Sequence, residues 1–589
     1  MQSCNHRSLS AKCPVWLAFL LPIVLGIAIK DLGTKTCWAQ DIGTYDRSGH
    51  AKQSRSVTYA QHGMAATSDL RATQAAVEIL RAGGSAVDAA IAANAVLGVV
   101  EPMSCGIGGD LFAICWSPND KQLIGLNASG RAPNLATIEE FQRRGLNEIP
   151  TYGALAWSVP GCVAGWQDLH AKYGRLRWSD LFQPAIRLAE EGFPVSPIIG
   201  GYWRASEARL SETPEAADTF LVNGKAPREG DIFRNPRLAA TYQRIASLGA
   251  QDFYHGETAV EIDRYSRSRE DGLLRLSDLQ QHTNQWVAPV STRYRGYDVW
   301  ELPPNGQGIT ALQMLNILEP YDIKKMGWGS TQYAHLFVES KKLAFADRAK
   351  FYADMDMAEV PLKELVSKKY ADQRRQLFDP NVALKDVPAG DPKLVHGDTI
   401  YLCVVDDQRN CCSLIQSNYH GFGSQLVAGN LGFAIQNRGA LFSLDRQHLN
   451  RLEPGKRPFH TIIPAMVTEH GKPVFVFGVM GGDMQPQGHV QVLVNWIDFG
   501  MNIQMAGDAA RIRHEGSATP TGLAAEPEGG KVFFESGIPP GTKDELEKMG
   551  HHFGRGGSYG GYQGILIDWD RGILHGATEA RKDGAALGY

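Results

Sequence analysis

The chain has 589 residues and a formal net charge of −4, with 43% hydrophobic and 21% charged residues. These proportions are those of an ordinary soluble globular protein, and the length suggests several domains, although large single-unit α/β sandwiches are exceptions to that guide. The near-neutral charge and the lack of a long basic run argue against a nucleic-acid partner.

An apolar segment lies near the N-terminus. Residues 14–29 are almost all apolar and follow Arg7 and Lys12. Sixteen residues are few for a membrane span but suit the core of a signal peptide, and Cys37 and Ala39 place small residues three and one before a cut. We therefore predict a signal peptide over 1–39 and export to the periplasm or the extracellular space. An uncleaved anchor is the alternative, and a membrane contact is expected only through this segment.

The cysteines give no sign of a metal site. Three of the nine fall in the predicted signal region, and no Cys-x-x-Cys spacing occurs among the rest. Cys411 and Cys412 are adjacent on a predicted strand, so they face opposite sides and cannot easily bond to each other. We interpret the remaining six as small buried hydrophobes, with a disulfide as an open alternative in an oxidising compartment. They are Cys105, Cys115, Cys162, Cys403, Cys411 and Cys412.

The N-terminal half is predicted to be rich in helices. From Asp69 the apolar residues have helical spacing up to Gly83 and Gly84, and an alanine-rich helix follows from 85 to about 99. Strands are predicted at 110–116 and 122–127, and a later helix at 333–348. This pattern favours helices packed outside a pair of sheets.

A loop is predicted to meet a strand at Asp398 and Thr399. Residues 380–398 are rich in Pro, Gly, Asp and Lys, whereas 400–405 are mostly β-branched and aromatic. If this peptide bond were cut, Thr399 would carry a free α-amine beside its hydroxyl, which activates a weak alcohol without a separate histidine base. The simpler alternative is that Thr399 only opens a strand.

The strand after Thr399 is followed by a second one and, later, by a pair of glycines. Residues 411–417 are predicted to pair antiparallel with 400–405. The apolar strand 474–477 runs into Gly481 and Gly482, before a predicted helix over 487–499. Glycines at a strand-to-helix junction can expose consecutive N–H groups that hold an oxyanion, although a tight turn explains such a pair equally well.

Nine short blocks, considered together, carry a family resemblance. They are residues 62–66, 82–90, 101–102, 106–110, 396–406, 411–417, 419–424, 457–465 and 474–482. With these blocks in this order, the chain resembles the γ-glutamyltransferase family of N-terminal-nucleophile hydrolases from about Tyr59 to Tyr589. The resemblance implies an α+β fold, a four-layer αββα sandwich, with no cofactor and no metal. It also implies a precursor that cuts itself between Asp398 and Thr399, giving a large chain (40–398) and a small chain (399–589) that stay together.

The resemblance assigns a catalytic role to four residues. Thr399 is implied as the nucleophile, and Ser417 as the second hydroxyl residue that orients it. Gly481 and Gly482 resemble the pair that holds the tetrahedral oxyanion. Without the family, Ser417 would be an ordinary polar residue of a strand.

The implied substrate pocket departs from the family pattern. Where the family has an arginine for the substrate α-carboxylate, this chain has Ser129, and the nearest guanidinium is Arg131. The acidic residues that bind the α-ammonium are replaced by Gln436, Asn437 and Arg438. An asparagine of the family is replaced by Tyr419, and two adjacent serines by His460 and Thr461.

These departures predict a different substrate. A cationic Arg438 would repel an ammonium group and attract a carboxylate. The pattern resembles the family branch with cephalosporin-acylase-like and oxamate-amidohydrolase-like members. We therefore expect hydrolysis of a small-molecule amide with a small carboxylated acyl group, through an acyl-enzyme. The alternatives are the plain activity of a glutathione hydrolase or γ-glutamyl transpeptidase, and purely structural roles for Arg131 and Arg438.

Two other functions are considered. Residues 556–560 satisfy the Gly-x-Ser-x-Gly pattern of a serine-hydrolase elbow around Ser558, but a glycine-rich loop leads from there into a strand at 565–568 with no helix. An inactive binding protein is the second alternative. The intact set of Thr399, Ser417 and the glycine pair argues against it.

Overall fold

Two stacked antiparallel sheets form the centre of the molecule. The computed structural model describes residues 53–385, 387 and 398–589. The predicted signal peptide and most of the linker before Thr399 lie outside these residues. Within the described ranges, no helix combines the length and the apolar character that a membrane crossing requires.

Each sheet has seven strands. In spatial order, the first sheet contains Ala585–Gly588, Met64–Thr67, Asp398–Val405, Cys411–Tyr419, Asp110–Trp116, Leu123–Ala128 and Gln285–Val287. The second sheet contains Thr58–Ala60, Ile573–Thr578, Gly561–Asp568, Lys472–Met480, Ala465–Glu469, Tyr297–Glu301 and Val290–Tyr294. Smaller strands pair elsewhere: Lys531–Phe534 pairs with Ile512–Glu515 on one side and His552–Phe553 on the other, and Phe193–Pro194 pairs with Ile232–Phe233.

Helices cover the outer face of each sheet. The helices that pack on the first sheet or extend its layer are Leu70–Arg81, Ala86–Val100, Cys162–Tyr173, Gln183–Glu191, Pro197–Leu210, Pro214–Phe220, Pro236–Leu248, Ala250–His255, Glu257–Arg267 and Leu276–Gln280. Those on the side of the second sheet are Gly308–Leu318, Ile323–Met326, Thr331–Phe351, Leu362–Leu365, Lys368–Arg375, Met484–Ile497, Ile503–Asp508 and Thr542–Lys548. The short helix Ile138–Arg143 belongs to a separate small cluster.

The apolar side chains form three large layers of core. One lies between the first sheet and its helices, one between the second sheet and its helices, and one between the two sheets. The middle layer is built from alternate residues of both sheets, such as Phe112, Ile415, Val476 and Ile565. The predicted four-layer αββα sandwich is therefore confirmed.

Local sequence signals account for the helix starts. Asp69 caps the first helix by accepting a hydrogen bond from the N–H of Arg71. Ser85 and Asp88 form a capping box at the start of Ala86–Val100, in which all fifteen residues are buried. The alanines explain how other elements approach this helix on every side.

One predicted helix begins earlier than expected. The sequence predicts this helix over 487–499, and the structure has it at Met484–Ile497. Pro486 lies in its first turn, where a proline costs no hydrogen bond. The residues beside that proline are polar, so the apolar spacing that indicates a helix begins only after the true helix start.

A single glycine lets the two sheets approach each other near Thr399. A Cβ atom on Gly478 would lie 2.5 Å from the ring of Tyr401. Tyr401 is two residues after Thr399 and shares its face of the strand. The strand that leads into Gly481 and Gly482 therefore packs directly against the strand that begins with Thr399.

Candidate functional site

Thr399 lies at an irregularity of the first sheet. Asp398 pairs with Tyr419 and Ile400 pairs with Gln416, so the second strand has one extra residue opposite Thr399. Such bulges change the direction of a side chain and are frequent beside active sites. The side chain of Thr399 is 2% exposed, and its hydroxyl donates to the Oγ of Ser417 over 3.3 Å.

Ser417 connects Thr399 to Tyr419. Its Oγ also accepts a hydrogen bond of 2.8 Å from the backbone N–H of Tyr419. Tyr419 has a positive φ of 82°, a conformation in which a non-glycine residue is strained. The tight path of the chain here fixes the Ser417 hydroxyl beside Thr399.

Gly481 and Gly482 form the predicted strand-to-helix junction. Their φ angles are +116° and +55°. Their carbonyl oxygens accept from the N–H groups of Met484 and Gln485, at 2.9 and 3.2 Å, as the helix Met484–Ile497 begins. The pair is thus at the positive end of a fourteen-residue helix, a position suited to an anion.

Arg438 is completely buried beside Tyr419. Its Nη1 donates to the Oγ1 of Thr461 over 2.6 Å, and its guanidinium carbon lies 4.7 Å from the centre of the Tyr419 ring. Its Nε and Nη2 atoms have no hydrogen-bond partner among the described residues. Burial lowers the pKa of Arg438 to about 10, so the group is still a cation at neutral pH. Two buried cationic donors are therefore available to an anion.

Asp110 and His460 form a buried pair next to this arginine. His460 Nε2 lies 3.1 Å from a carboxylate oxygen of Asp110, whose other oxygen accepts from Gln436 and from the N–H groups of Gly130 and Gly161. Burial raises the pKa of Asp110 to about 7, and the charge of Arg438 opposes that rise. Burial and the same arginine lower the pKa of His460 well below its usual value, so this histidine is neutral.

Ser129 and Arg131, the two candidate residues of the 129–131 block, have different contacts. The Oγ of Ser129 donates to Asn127 and accepts from Asn305, and the side chain is buried. Arg131 is partly exposed and bonds to Asp356 and to the carbonyl of Gly455. Among the described contacts, none joins Arg131 to Thr399, Ser417 or the glycine pair.

A further group of buried polar residues was not found from the sequence. Gln307 donates to the carbonyl oxygens of Thr461 and Gly482, at 2.7 and 2.9 Å. The carbonyl of its side chain accepts from Arg348, which also bonds twice to Asp483. The local signal in the sequence is that Gln307 lies between two glycines just before an apolar helix. This signal does not indicate the contact with Gly482, which is 175 residues away.

The family model described as gamma-glutamyltranspeptidase matches residues 72–589. The chain belongs to the γ-glutamyltranspeptidase family. It is thus an enzyme of a family of N-terminal-nucleophile hydrolases and acylases that are made as precursors and yield two chains, as the resemblance implied.

Named relatives match over nearly their whole length. The "glutathione hydrolase-like YwrD proenzyme" of Bacillus subtilis is 38% identical over 522 residues, covering 88% of this chain and 96% of the relative. The "oxamate amidohydrolase proenzyme" of Klebsiella pneumoniae is 34% identical, covering 90% and 98%. The crystal structure of a cephalosporin acylase from Bacillus halodurans superposes with a TM-score of 0.84 at 40% identity, covering 91% of this chain and 97% of that one. The chain is therefore similar to three differently named members of the γ-glutamyltranspeptidase family.

The serine-hydrolase alternative lacks the required structure. Ser558 is exposed in a loop between His552–Phe553 and Gly561–Asp568, and a strand follows it. The elbow of a serine hydrolase requires a helix after its serine. The expectation from the sequence that this motif is incidental agrees with that placement.

A cleft opens beside Tyr419. Its volume is about 690 Å³, and it is lined by the loops 145–151 and 521–523, by Ala440, by residues 442–445, and by Tyr419 and His420. This size is within the range of small-molecule sites. The cleft adjoins Tyr419, whose ring covers Arg438.

Proposed function

We propose that this member of the γ-glutamyltranspeptidase family is a self-processing amidohydrolase with Thr399 as its nucleophile, acting on amides of a small carboxylated acyl group. The observation that carries the substrate class is the buried guanidinium of Arg438, with Nε and Nη2 unpartnered among the described residues. An unpaired buried charge is costly, and a bound carboxylate would remove that cost through two charge-assisted hydrogen bonds.

Maturation is the first reaction of the proposed mechanism. The Thr399 hydroxyl attacks the carbonyl carbon of Asp398, the acyl group moves from nitrogen to oxygen, and water hydrolyses the resulting ester. The large chain then ends at Asp398, and the small chain of 191 residues begins at Thr399. In support, Asp398 and Thr399 are consecutive residues of one strand, and Ser417 accepts the hydrogen bond of the Thr399 hydroxyl.

Turnover then uses the α-amine that maturation creates. The amine takes the proton of the Thr399 hydroxyl as the oxygen attacks the substrate amide, and Ser417 orients that oxygen. The N–H groups of Gly481 and Gly482 hold the oxyanion of the tetrahedral intermediate. The α-ammonium protonates the leaving amine, and water releases the acid from the acyl-enzyme.

The acyl site follows from the charges around Tyr419. The substrate carboxylate is bound by Arg438, with Thr461 and His460 beside it. Ser129 and Tyr419 shape the site, and Arg131 contributes less because Asp356 and Gly455 already occupy its donors. A γ-glutamyl group adds an α-ammonium, which would need a carboxylate partner. Asp110, the carboxylate that interacts with Arg438 among the described residues, is already bonded by four groups.

The proposal also covers export and the association of the two chains. Residues 1–39 direct export and are removed, and the large and small chains remain associated as one enzyme. No cofactor is needed for the steps above, since in turnover the α-amine of Thr399 takes the hydroxyl proton and passes it to the leaving amine, and water hydrolyses the ester.

The test compares three p-nitroanilides with acyl chains of similar length. Glutaryl has a carboxylate, butyryl has none, and γ-glutamyl has both a carboxylate and an ammonium. We expect kcat/KM for glutaryl to exceed the γ-glutamyl value at least about a hundredfold, roughly 2.7 kcal/mol, and to exceed the butyryl value as well. A preference for γ-glutamyl would instead support a glutathione hydrolase, and equal rates for glutaryl and butyryl would remove the role of Arg438.

A further inference from the structure

Two cysteines face each other across neighbouring strands of the first sheet. Cys115 on Asp110–Trp116 is the direct partner of Cys412 on Cys411–Tyr419. Their sulfur atoms are 4.0 Å apart, and both side chains are buried. All six cysteines of the described residues are free thiols in this structure.

The two cysteines lie on opposite sides of the proposed cleavage site in the sequence. Cys115 precedes the Asp398–Thr399 bond and Cys412 follows it, so proposed maturation puts them on different chains. Among the described residues, this is the one sulfur-to-sulfur hydrogen bond between the segments before and after that bond.

We propose that Cys115 and Cys412 form a disulfide that joins the large and the small chain covalently. Residues directly opposite in antiparallel strands have Cα atoms about 4.5 to 5.5 Å apart, within the range of about 4.4 to 6.8 Å that disulfides span. The proposed bond requires the sulfur atoms to move from 4.0 Å apart to about 2.05 Å, by rotation of the two side chains. The bond itself does not depend on self-cleavage, whereas the joining of two chains rests on the proposed function.

A cavity lies beside Cys115, on one side of the pair. Its volume is about 170 Å³, and it is lined by Cys115 together with Tyr173, Arg175 and Asn410. Oxidation needs an acceptor of two electrons, for which a low-molecular-weight disulfide is suitable. One cysteine attacks it as the thiolate and releases one thiol; the second cysteine then attacks the mixed disulfide and releases the other. Two protein thiols become one disulfide, and the reagent becomes two thiols.

The test uses the full-length protein after purification. Contact with Cys115, together with burial, raises the pKa of Cys412 well above its usual value, so the protein is incubated for long periods at pH 8.5 with 2-hydroxyethyl disulfide. Remaining thiols are then blocked with N-ethylmaleimide in denaturant and counted by mass. We expect a loss of two thiols, a Cys115–Cys412 cross-linked peptide, and one full-mass band on a gel without reductant that becomes two bands with reductant.

Variants and controls separate the possible outcomes. Cys115→Ser and Cys412→Ser should each abolish the cross-linked peptide. The thiol of Cys411 faces the core between the sheets, so the control variant Cys411→Ala should retain the peptide. Absence of the cross-linked peptide from oxidised wild type overturns the disulfide. Two bands both with and without reductant would also overturn the disulfide, but they would still support self-cleavage. One band under both conditions with the cross-linked peptide present would support the disulfide and contradict maturation, so the two proposals fail separately.

Discussion

The side-chain amide of Gln307 donates a hydrogen bond of 2.9 Å to the carbonyl oxygen of Gly482. The same nitrogen donates to the carbonyl of Thr461, whose hydroxyl accepts from Arg438. One buried amide therefore links the proposed oxyanion glycines to the proposed carboxylate site. Arg348 fixes its orientation by donating to the side-chain oxygen of Gln307 over 2.6 Å.

The first prediction concerns Gln307→Glu. A carboxylate keeps the contact with Arg348 but replaces the donor by an acceptor, which would repel the two carbonyl oxygens. The Gly482 peptide would then lose its fixed direction, so we expect kcat to fall about thirtyfold, roughly 2 kcal/mol, with KM changed less than about threefold. Steady-state kinetics with glutaryl p-nitroanilide measures both constants.

A matched control comes from the next helix. Gln313 is also buried and bonds to Asp347 and Tyr352, but it does not contact the glycines. Gln313→Glu should lower the midpoint of denaturant unfolding while kcat stays near that of wild type. Equal losses of kcat in the two variants would mean that Gln307 acts only through stability.

The sequence predicted features that depend on near neighbours or on the family pattern. Thr399 at the start of a strand, the glycine pair before a helix and the capped helix after Asp69 all follow from local composition. The bulge opposite Thr399, the Asp110–His460 pair and the contact of Gln307 with Gly482 join residues that are distant in sequence. No local periodicity encodes such contacts, because they depend on which strands pair and on how distant segments pack together.

The second prediction distinguishes the nucleophile from the incidental serine motif. Thr399→Ala removes the attacking oxygen, so the protein should remain one chain and have no turnover. Ser558→Ala changes an exposed loop, and its rate should stay within about tenfold of wild type, roughly 1.4 kcal/mol. Gel analysis and N-terminal sequencing give the first result, with Thr-Ile-Tyr-Leu-Cys expected for the wild-type small chain. A fully active wild-type enzyme that remains uncut would contradict the mechanism.

The third prediction concerns charge at the acyl site. Arg438→Asp replaces the cation by an anion, so glutaryl amides should lose affinity and γ-glutamyl amides should gain it relative to them. A charge-assisted hydrogen bond contributes about 1.5 to 3 kcal/mol, so the ratio of the two kcat/KM values should fall at least about tenfold. Arg131→Gln is the control: it breaks the contact with Asp356 and should leave that ratio unchanged. A shift of the ratio in Arg131→Gln alone would move the carboxylate site to Arg131.

The last prediction concerns pH and rests on the Asp110 carboxyl beside Arg438. Burial raises its pKa to about 7 in the folded protein, from an ordinary value of 3.8. Below that pH Asp110 is neutral and the charge of Arg438 is uncompensated, whereas above it the two charges offset each other. His460 and Tyr419 do not titrate there, because burial holds the pKa of His460 well below, and that of Tyr419 well above, their usual values.

A substrate carboxylate should therefore bind more tightly at low pH. We expect KM for glutaryl p-nitroanilide to rise about fivefold between pH 6 and pH 8, roughly 1 kcal/mol, while KM for the butyryl compound stays level. In contrast, kcat should increase with pH, because the α-amine of Thr399 must be unprotonated to act as a base and such amines have pKa values of about 8.

The raised pKa of Asp110 also implies that its contribution to stability is lost as the pH rises from about 4 to about 7. In Asp110→Asn, which keeps an oxygen acceptor for Gly130 and Gly161, both the change in KM and this part of the stability profile should disappear. If the KM change persists in that variant, another group controls substrate binding.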